Sequence, residues 1–494
     1  MNCDKESRSK RLFLCLIIAA FGLLSACASY TDETQAIRSA WVAGNDVQAA
    51  RLAKSASEDK EKSVDAIVFL LEEGSAWRAA EEYNESDYAF HQASQKIAEY
   101  DAKAEIRLAE SFTANFTNLT YLPYVGYSYD RVMLHTYKAL NAMAVDSMDN
   151  ARVELNRALE AQRDAVRANA ELIEAAQKAS KESAEQAAKR ESNIYNAERA
   201  QKDARFNNNV NATYRYLNQY RVYSDYVNPF TVYLDGLYFM AQSTGLSDLE
   251  RARKSFERVK GMVNYTEFVE EDIALVNRAI GGQTLEPTTY VIFETGMAPS
   301  REETRIDIPL FIVSREVPYF GVAFPKLKFN GSYIPRLTVR GGSEIRETKL
   351  VCSMDSVVAQ EFENELPAII TRTLISAGTK AAAQYGIYEA TKDSGTLGTL
   401  AIIAGTIYQA AMNQADLRTW ITLPKQFQVA RLPTPEDRRL QITPQGSPGT
   451  IDLDLQPGII NVVYIKSNSA LDPPDASQFV LKHENNNNPS QLIQ

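Results

Sequence analysis

Histidine is nearly missing from this chain: His91, His135 and His483 are the three in 494 residues. No His-Glu-x-x-His occurs, which excludes the zinc-protease helix, where two imidazoles one turn apart must face a single ion. A Gly-x-Ser-x-Gly elbow, a phosphate loop and a dinucleotide fingerprint are also missing. Ser57-Glu58-Asp59-Lys60 matches Ser-x-x-Lys, but its Ser-Asp-Asn and Lys-Thr-Gly companions are lacking. The charged neighbours there read as a solvated helix face. No catalytic residue, metal ligand, cofactor or small-molecule substrate is therefore expected. Basic charge is in deficit: 53 Lys and Arg face 63 Asp and Glu, for a net −10 and a pI near 5.2. That balance argues against nucleic acid as a partner. Hydrophobic residues at 45% and charged residues at 23% exclude disorder throughout.

Cysteine is scarce as well, with four residues, and three of them lie in the first 27. Lys5, Arg8, Lys10 and Arg11 precede an apolar run from Leu12 to Leu24. That run is too short to span a bilayer comfortably and fits a signal peptide over residues 1–26. It enters Leu24-Ser25-Ala26-Cys27, which resembles a bacterial lipobox. The resemblance implies cleavage before Cys27, lipidation of Cys27 and a mature chain of net charge −12. Ala28, where an Asp would retain the chain at the inner membrane, implies the outer membrane. So acidic a chain has no affinity of its own for anionic headgroups, so the lipid would hold it there. Cys3 and Cys15 leave with the signal peptide and Cys27 is consumed. Cys352 is left alone in the apolar, strand-like run Lys349 to Ser353, and reads as a buried structural thiol with no disulfide partner.

Proline is almost excluded between Thr31 and Ile280, where Pro123 and Pro229 stand alone and the periodicity is helical. A spacing recurs there. Gly74, Ser86, Phe90 and Ala93 set it; Ala139, Ala151, Leu155 and Ala158 repeat it. Gly236, Ala252, Phe256 and Val259 repeat it again with a short insertion in the turn. Antiparallel helices need a small residue where backbones approach and a large apolar one beside it, so residues 27–282 read as a tetratricopeptide-like helical domain. Residues from about 150 to 225 interrupt it. Asn150 to Asn211 is rich in Ala, Glu, Gln, Lys and Arg, and predicts a narrow, coiled-coil-like excursion that turns near 185–195 and stands off the body. Tyr121, Tyr124, Tyr127 and Tyr129 form one cluster, and Tyr214, Tyr216, Tyr220, Tyr223 and Tyr226 another. Such tyrosines either fill helix grooves or form a recognition surface.

Gly281-Gly282 and Pro287 mark a change of period. Short strands are predicted at Tyr290–Phe293, Thr304–Ile312, Val322–Phe324, Leu337–Val339, Trp420–Leu423, Phe427–Ala430, Arg439–Ile442, Ile451–Leu455 and Ile460–Ile465. Pro457-Gly458 reads as a tight hairpin turn. Asp452 and Asp454 alternate with apolar residues, as on the polar face of a strand. Together these predict a β-sandwich-like domain over 285–470. A helical hairpin, about 355–413, interrupts it: Ser356–Glu365, a second helix opened by Pro367, and the uncharged Thr396–Met412. That last run reads as a core helix, with a dip into membrane as the alternative. Asp416, Arg418, Trp420 and Arg431 form a polar cluster expected to pair where the chain re-enters the sheet. Residues 471–494, with Asp-Pro-Pro-Asp and four consecutive asparagines, read as a disordered tail.

The fold class predicted is thus α+β. The lipobox, the repeats, Tyr137-Lys138-Ala139-Leu140-Asn141, Asn228-Pro229-Phe230, Tyr290 to Glu294, Pro367-Ala368-Ile369-Ile370, Arg418-Thr419-Trp420 and Ala430-Arg431-Leu432-Pro433 lie along one chain. Over most of residues 22–466 it resembles a family of uncharacterised proteobacterial lipoproteins that join a tetratricopeptide-like half to a C-terminal β region. The resemblance implies architecture and location and transfers no site residue beyond the lipidated Cys27. The function expected is that of a periplasm-facing scaffold for other envelope proteins, attached to the outer membrane by its lipid. A factor acting on cell wall or lipid through the C-terminal region is the alternative, and enzymatic activity is not expected.

Overall fold

The alternation of small and large apolar residues at helical spacing builds the first half as antiparallel helix pairs. The structure, a computed structural model, describes residues 30–103, 122–189, 195–220, 223, 227–310, 319–391, 414–446 and 448–484, with backbone alone for 382–391. The signal peptide with Cys27, the tyrosines Tyr121 and Tyr226, and Thr396–Met412 lie outside the described residues. The fold is mixed α and β: among the described residues 54% are helical and 20% in strands, with helices first and sheets last.

A single turn α1 (Tyr30–Glu33) leads into α2 (Gln35–Val42), α3 (Asp46–Asp59), α4 (Ala66–Ala79) and α5 (Tyr83–Asp101). Then come α6 (Ser128–Ala144) and the 41-residue α7 (Met148–Ala188). After α8 (Ala197–Gln201), α9 (Ala204–Tyr214) and a 3-10 turn (Arg215–Tyr220) follow α10 (Pro229–Ala241), α11 (Leu246–Lys260) and α12 (Glu267–Ile280). All twelve recurring positions fall on three helix pairs, α4/α5, α6/α7 and α10/α11, and all twelve are buried. In two pairs the contact is the same. A Cβ at Gly74 would meet the Phe90 ring at 2.4 Å, and one at Gly236 the Phe256 ring at 2.8 Å. Asn228 caps α10 by accepting from the Phe230 and Thr231 amides, with Pro229 in the first turn, where no amide is needed.

Residues 150–225 do not stand off as a lone coil. The polar, Ala-rich α7 is about 60 Å long at 1.5 Å per residue. Its distal half packs on α13 (Met354–Thr391), with Ala176, Ala179, Ser180 and Ser183 buried. The small side chains let α13 approach, and Tyr195 fills the gap beside Gly378. Nor does one helix return: Asn196 and Asp203 each cap a new short helix and break the path. α13 is itself continuous. Pro367 lies inside it, at an exposed position, so no second helix starts there.

Among the described residues the strands form three sheets. β1 (Thr288–Thr295), β6 (Lys349–Ser353), β7 (Gln426–Pro433), β10 (Ile460–Ser467) and β11 (Asp475–Lys482) make a five-stranded sheet in the order β11-β10-β1-β7-β6. Within it β1 and β10 run parallel. β2 (Ser300–Pro309) and β3 (Tyr319–Lys328) pair alone. β4 (Leu337–Gly341), β5 (Glu344–Glu347), β8 (Arg439–Pro444) and β9 (Ile451–Asp454) form a third sheet, in the order β5-β4-β8-β9. Val291, Phe293, Val463 and Ile465 face Leu337, Val339, Leu440 and Ile442 of that third sheet. Tyr290, Ile292, Val462 and Tyr464 join the helices' core on the other side. β1 and β10 are buried on both faces, which is why they read as continuous apolar runs. One core therefore runs through both halves of the chain.

Three further expectations are corrected. Asp475–Lys482 belongs to a tail expected to be disordered, yet it pairs with β10 as an edge strand. Pro457-Gly458 does not close a hairpin: β9 lies in the four-stranded sheet and β10 in the five-stranded one, so the turn carries the chain between sheets. Trp420–Leu423 is not a strand, because the Ile421 and Thr422 amides donate to the Glu72 carboxylate. Asp452 and Asp454 do lie on the exposed face of β9.

Candidate functional site

The densest chemistry is a buried junction where the helices meet the segment 414–425. Arg418 sets its geometry. Its guanidinium donates to both oxygens of Asp416 at 2.9 and 2.7 Å, to Asp65 at 2.8 Å and to the Leu122 carbonyl at 2.9 Å. Burial opposes the charge, and the Asp416 carboxylate beside it offsets that opposition and raises the pKa. Arg301, from β2, lies 3.4 Å from Glu365 and stacks over the Tyr127 ring at 3.9 Å. Tyr127 stacks on Tyr129 at 5.4 Å.

Carboxylates in this junction serve as acceptors for backbone. Glu361 of α13 accepts from the Ser128 and Tyr129 amides at 2.5 and 2.9 Å, closing the N-terminus of α6. Burial, then the neighbouring Glu365, pushes its pKa up. Asp130 accepts from the Tyr127 amide at 2.8 Å and from the Tyr124 hydroxyl, and burial raises it to about 7. Glu72 accepts from the Ile421 amide at 2.6 Å and from the Thr422 amide at 3.2 Å and hydroxyl at 2.6 Å. The Tyr30 hydroxyl lies 2.8 Å from Glu72 Oε1 and 2.8 Å from the Thr419 carbonyl. Burial raises Glu72 to about 7. Trp420 sits beside it, donating to Ser75 at 2.9 Å and packing on Phe90 and Tyr137.

The polar cluster expected from the sequence is thus assembled in part. Asp416, Arg418 and Trp420 come together. Arg431 lies elsewhere, on β7, 2.9 Å from Asp272 Oδ1 and 2.7 Å from Glu271. Asp272 also accepts from the Tyr233 and Tyr290 hydroxyls at 2.8 and 2.7 Å, and burial raises it to about 6. The tyrosine clusters fill grooves: Tyr124, Tyr129 and Tyr214 are buried, and Tyr127, Tyr216, Tyr220 and Tyr223 half-buried. Sequence reasoning missed Glu72, Asp130, Arg301, Glu361 and Glu365. Glu72 and Glu73, directly after the apolar run Ala66–Leu71 on the same helix, were a legible signal, since a carboxylate rarely joins such a run without partners.

Ser57, expected on a solvated face, is buried and donates to Glu73, while Lys60 pairs with Glu33 at 2.6 Å. His135 lies 2.7 Å from Glu154; burial raises that carboxyl, but His135 and Lys138 pull it down to about 2. Cys352 is buried in β6, and burial lifts its thiol to about 12, the setting of an inert structural cysteine. Among the described residues no three His, Cys, Asp or Glu side chains converge as a metal site, and no helix is long and apolar enough to cross a membrane.

A contrasting feature lies on the surface of the described residues. An open groove of about 540 Å³ runs between the 3-10 turn and the β2–β3 pair, lined by Tyr216, Phe329, Gln219, Thr213, Glu302 and Lys326. Tyr220 stacks on Phe329 at 4.2 Å, and Glu302 pairs with Lys326 at 3.1 Å. Compared with known proteins, the chain matches no family, no curated protein and no solved structure.

Proposed function

We propose that the protein is a lipoprotein, held at the outer membrane through Cys27 and facing the periplasm, that serves as a scaffold for other envelope proteins. The observation that carries this reading is the row of three helix pairs in chain order, each burying the same four positions. Tetratricopeptide-like pairs stacked this way form extended surfaces that bind segments of other proteins. The two facing sheets support a sandwich-like C-terminal half that braces the row. The buried junction supports the same reading, because Glu72 and Glu361 accept from backbone amides and Asp416 and Glu365 pair with arginines, which ties the helix row to the rest of the chain. A photo-crosslinking residue at Tyr88, 64% exposed on α5, tests the proposal in intact cells. Discrete crosslinks to an envelope protein are the expected result. A scan of the exposed positions of α3, α5 and α11 that yields lipid alone rejects it.

A second reading, action on the cell wall, draws on the groove. Aromatic faces beside hydroxyl, amide and charged groups suit a saccharide, and the volume lies within the range of small-ligand sites. Purified chain should then co-sediment with peptidoglycan sacculi, and Tyr216→Ala should abolish it. No co-sedimentation without a partner favours the scaffold.

A further inference from the structure

The first residue described is already fastened. Tyr30 is buried, its ring meets Phe69 edge-on at 5.6 Å, and its hydroxyl lies 2.8 Å from Glu72 and Thr419. Ala28 and Ser29 are all that separate it from Cys27. Three residues extend to about 11 Å at most. A lipid on Cys27 therefore has almost no slack.

The elements around Tyr30 share one end of the helix row. Lys60, at the end of α3, pairs with Glu33 of α1. The Val64 carbonyl, before α4, accepts from the Tyr124 amide at 2.8 Å. Asp101, the last residue of α5, pairs with Arg131 in the first turn of α6 at 2.8 Å. The turns at 80–82 and 145–147 lie at the other end of these helices. α6 has 17 residues, so at 1.5 Å per residue the two ends are about 25 Å apart.

We infer that the end of the helix row carrying Tyr30 lies against the phospholipid bilayer, with the turn 60–65, the end of α5 and the start of α6 at its surface. The inference rests on the lipid anchor proposed above and adds an orientation to it. The opposite turns then point into the periplasm. A long tether would let the body tumble; a two-residue one holds this face down.

Two variants of the full lipidated chain, each with one introduced cysteine, test it. Lys62→Cys is exposed in the turn near Tyr30, and Val145→Cys is exposed at the far end. Cys352 is buried and Cys27 would be capped as a thioether, so each label goes to one place. Both labelled proteins are bound to phosphatidylethanolamine–phosphatidylglycerol vesicles that carry a contact-range headgroup quencher. Several-fold stronger quenching at residue 62 than at 145 is expected, and a long Gly/Ser linker between Ser29 and Tyr30 should erase the contrast. Equal or reversed quenching overturns the orientation alone. Lipid-processed chain that fails to float with the vesicles, as Cys27→Ser should fail, overturns the anchor and the orientation with it.

Discussion

Phe230 and Phe427 stack face to face, their ring centres 3.9 Å apart and their planes 1° from parallel. One belongs to α10 and the other to β7, so the contact joins the helical half to the central sheet. Both rings are buried. Phe427→Ala should cost about 3–5 kcal/mol, the loss of a buried ring plus the cavity it leaves. Because the core is continuous, helical ellipticity and tryptophan fluorescence should move together to the same lower midpoint. A helical transition unmoved by this substitution would mean that the halves unfold independently.

Gly74 can only be glycine while Phe90 stays where it is. A methyl group there would sit 2.4 Å from the ring. Gly74→Ala should destabilise by about 1–3 kcal/mol through overpacking, despite the better helix propensity of alanine. Gly236→Ala, whose added carbon would stop 2.8 Å from Phe256, should cost less. Adding Phe90→Leu to Gly74→Ala should recover part of the loss in urea titrations. A Gly74→Ala chain as stable as the parent contradicts this packing.

Stability should decline from mildly acidic to mildly alkaline solution. Burial lifts Glu72 and Asp130 to about 7 and Asp272 to about 6, from ordinary values of 4.5, 3.8 and 3.8. Each binds its proton more tightly in the folded chain than in the unfolded one. Between about pH 4 and pH 7 the folded state therefore holds more protons, and rising pH removes stability. Glu154 works in the opposite sense. Its value of about 2 lies below 4.5, so its contribution is complete above 4.5 and disappears as pH falls through 2. Melting temperature should fall by several degrees from about pH 5 to about pH 8, and Glu72→Gln should flatten the slope. A melting temperature that climbs over this interval is incompatible with the buried carboxyls.

Tyr195 secures the arm made by α7 and α13. Its ring lies against Gly378, and its hydroxyl donates to the Pro309 carbonyl at 2.6 Å. Tyr195→Ala should cost about 3–5 kcal/mol, with its effect concentrated in the arm, because the ring meets Gly378 of α13 and the hydroxyl bonds to the end of β2 and not to β1 or β10. Hydrogen exchange should quicken in the distal half of α7 and the middle of α13 while β1 and β10 keep their protection. Uniform acceleration throughout the chain would show that the arm is not a separate unit of stability.

The helix pairs and most strands were legible because their signals are local. Gly74 and Phe90, or Tyr290 to Phe293, announce themselves by spacing and by β-branched or aromatic runs. The junction was legible only as Asp416, Arg418 and Trp420, since Glu72, Asp130, Arg301 and Glu361 reach it from distant segments that no pattern connects. Asp475–Lys482 was misread for a related reason. Its first half, Asp475 to Gln478, is polar and follows two prolines, so the short apolar run Phe479-Val480-Leu481 was passed over, and the open edge of β10 supplies the order. Pro367 was given the meaning it has at a helix start, although an exposed position tolerates it within a helix.

The parallel pairing of β1 with β10 also sets a timetable. β1 is complete at Thr295, yet the strand beside it ends at Ser467, so the central sheet cannot close until nearly all of the chain is available. Contacts this distant along the chain form late, after the helix pairs, whose partners are close neighbours. A ribosome still holding the last thirty residues holds back the sheet as a whole, and chains cut before Ile460 should be cleared by proteases even with every helix-forming residue present.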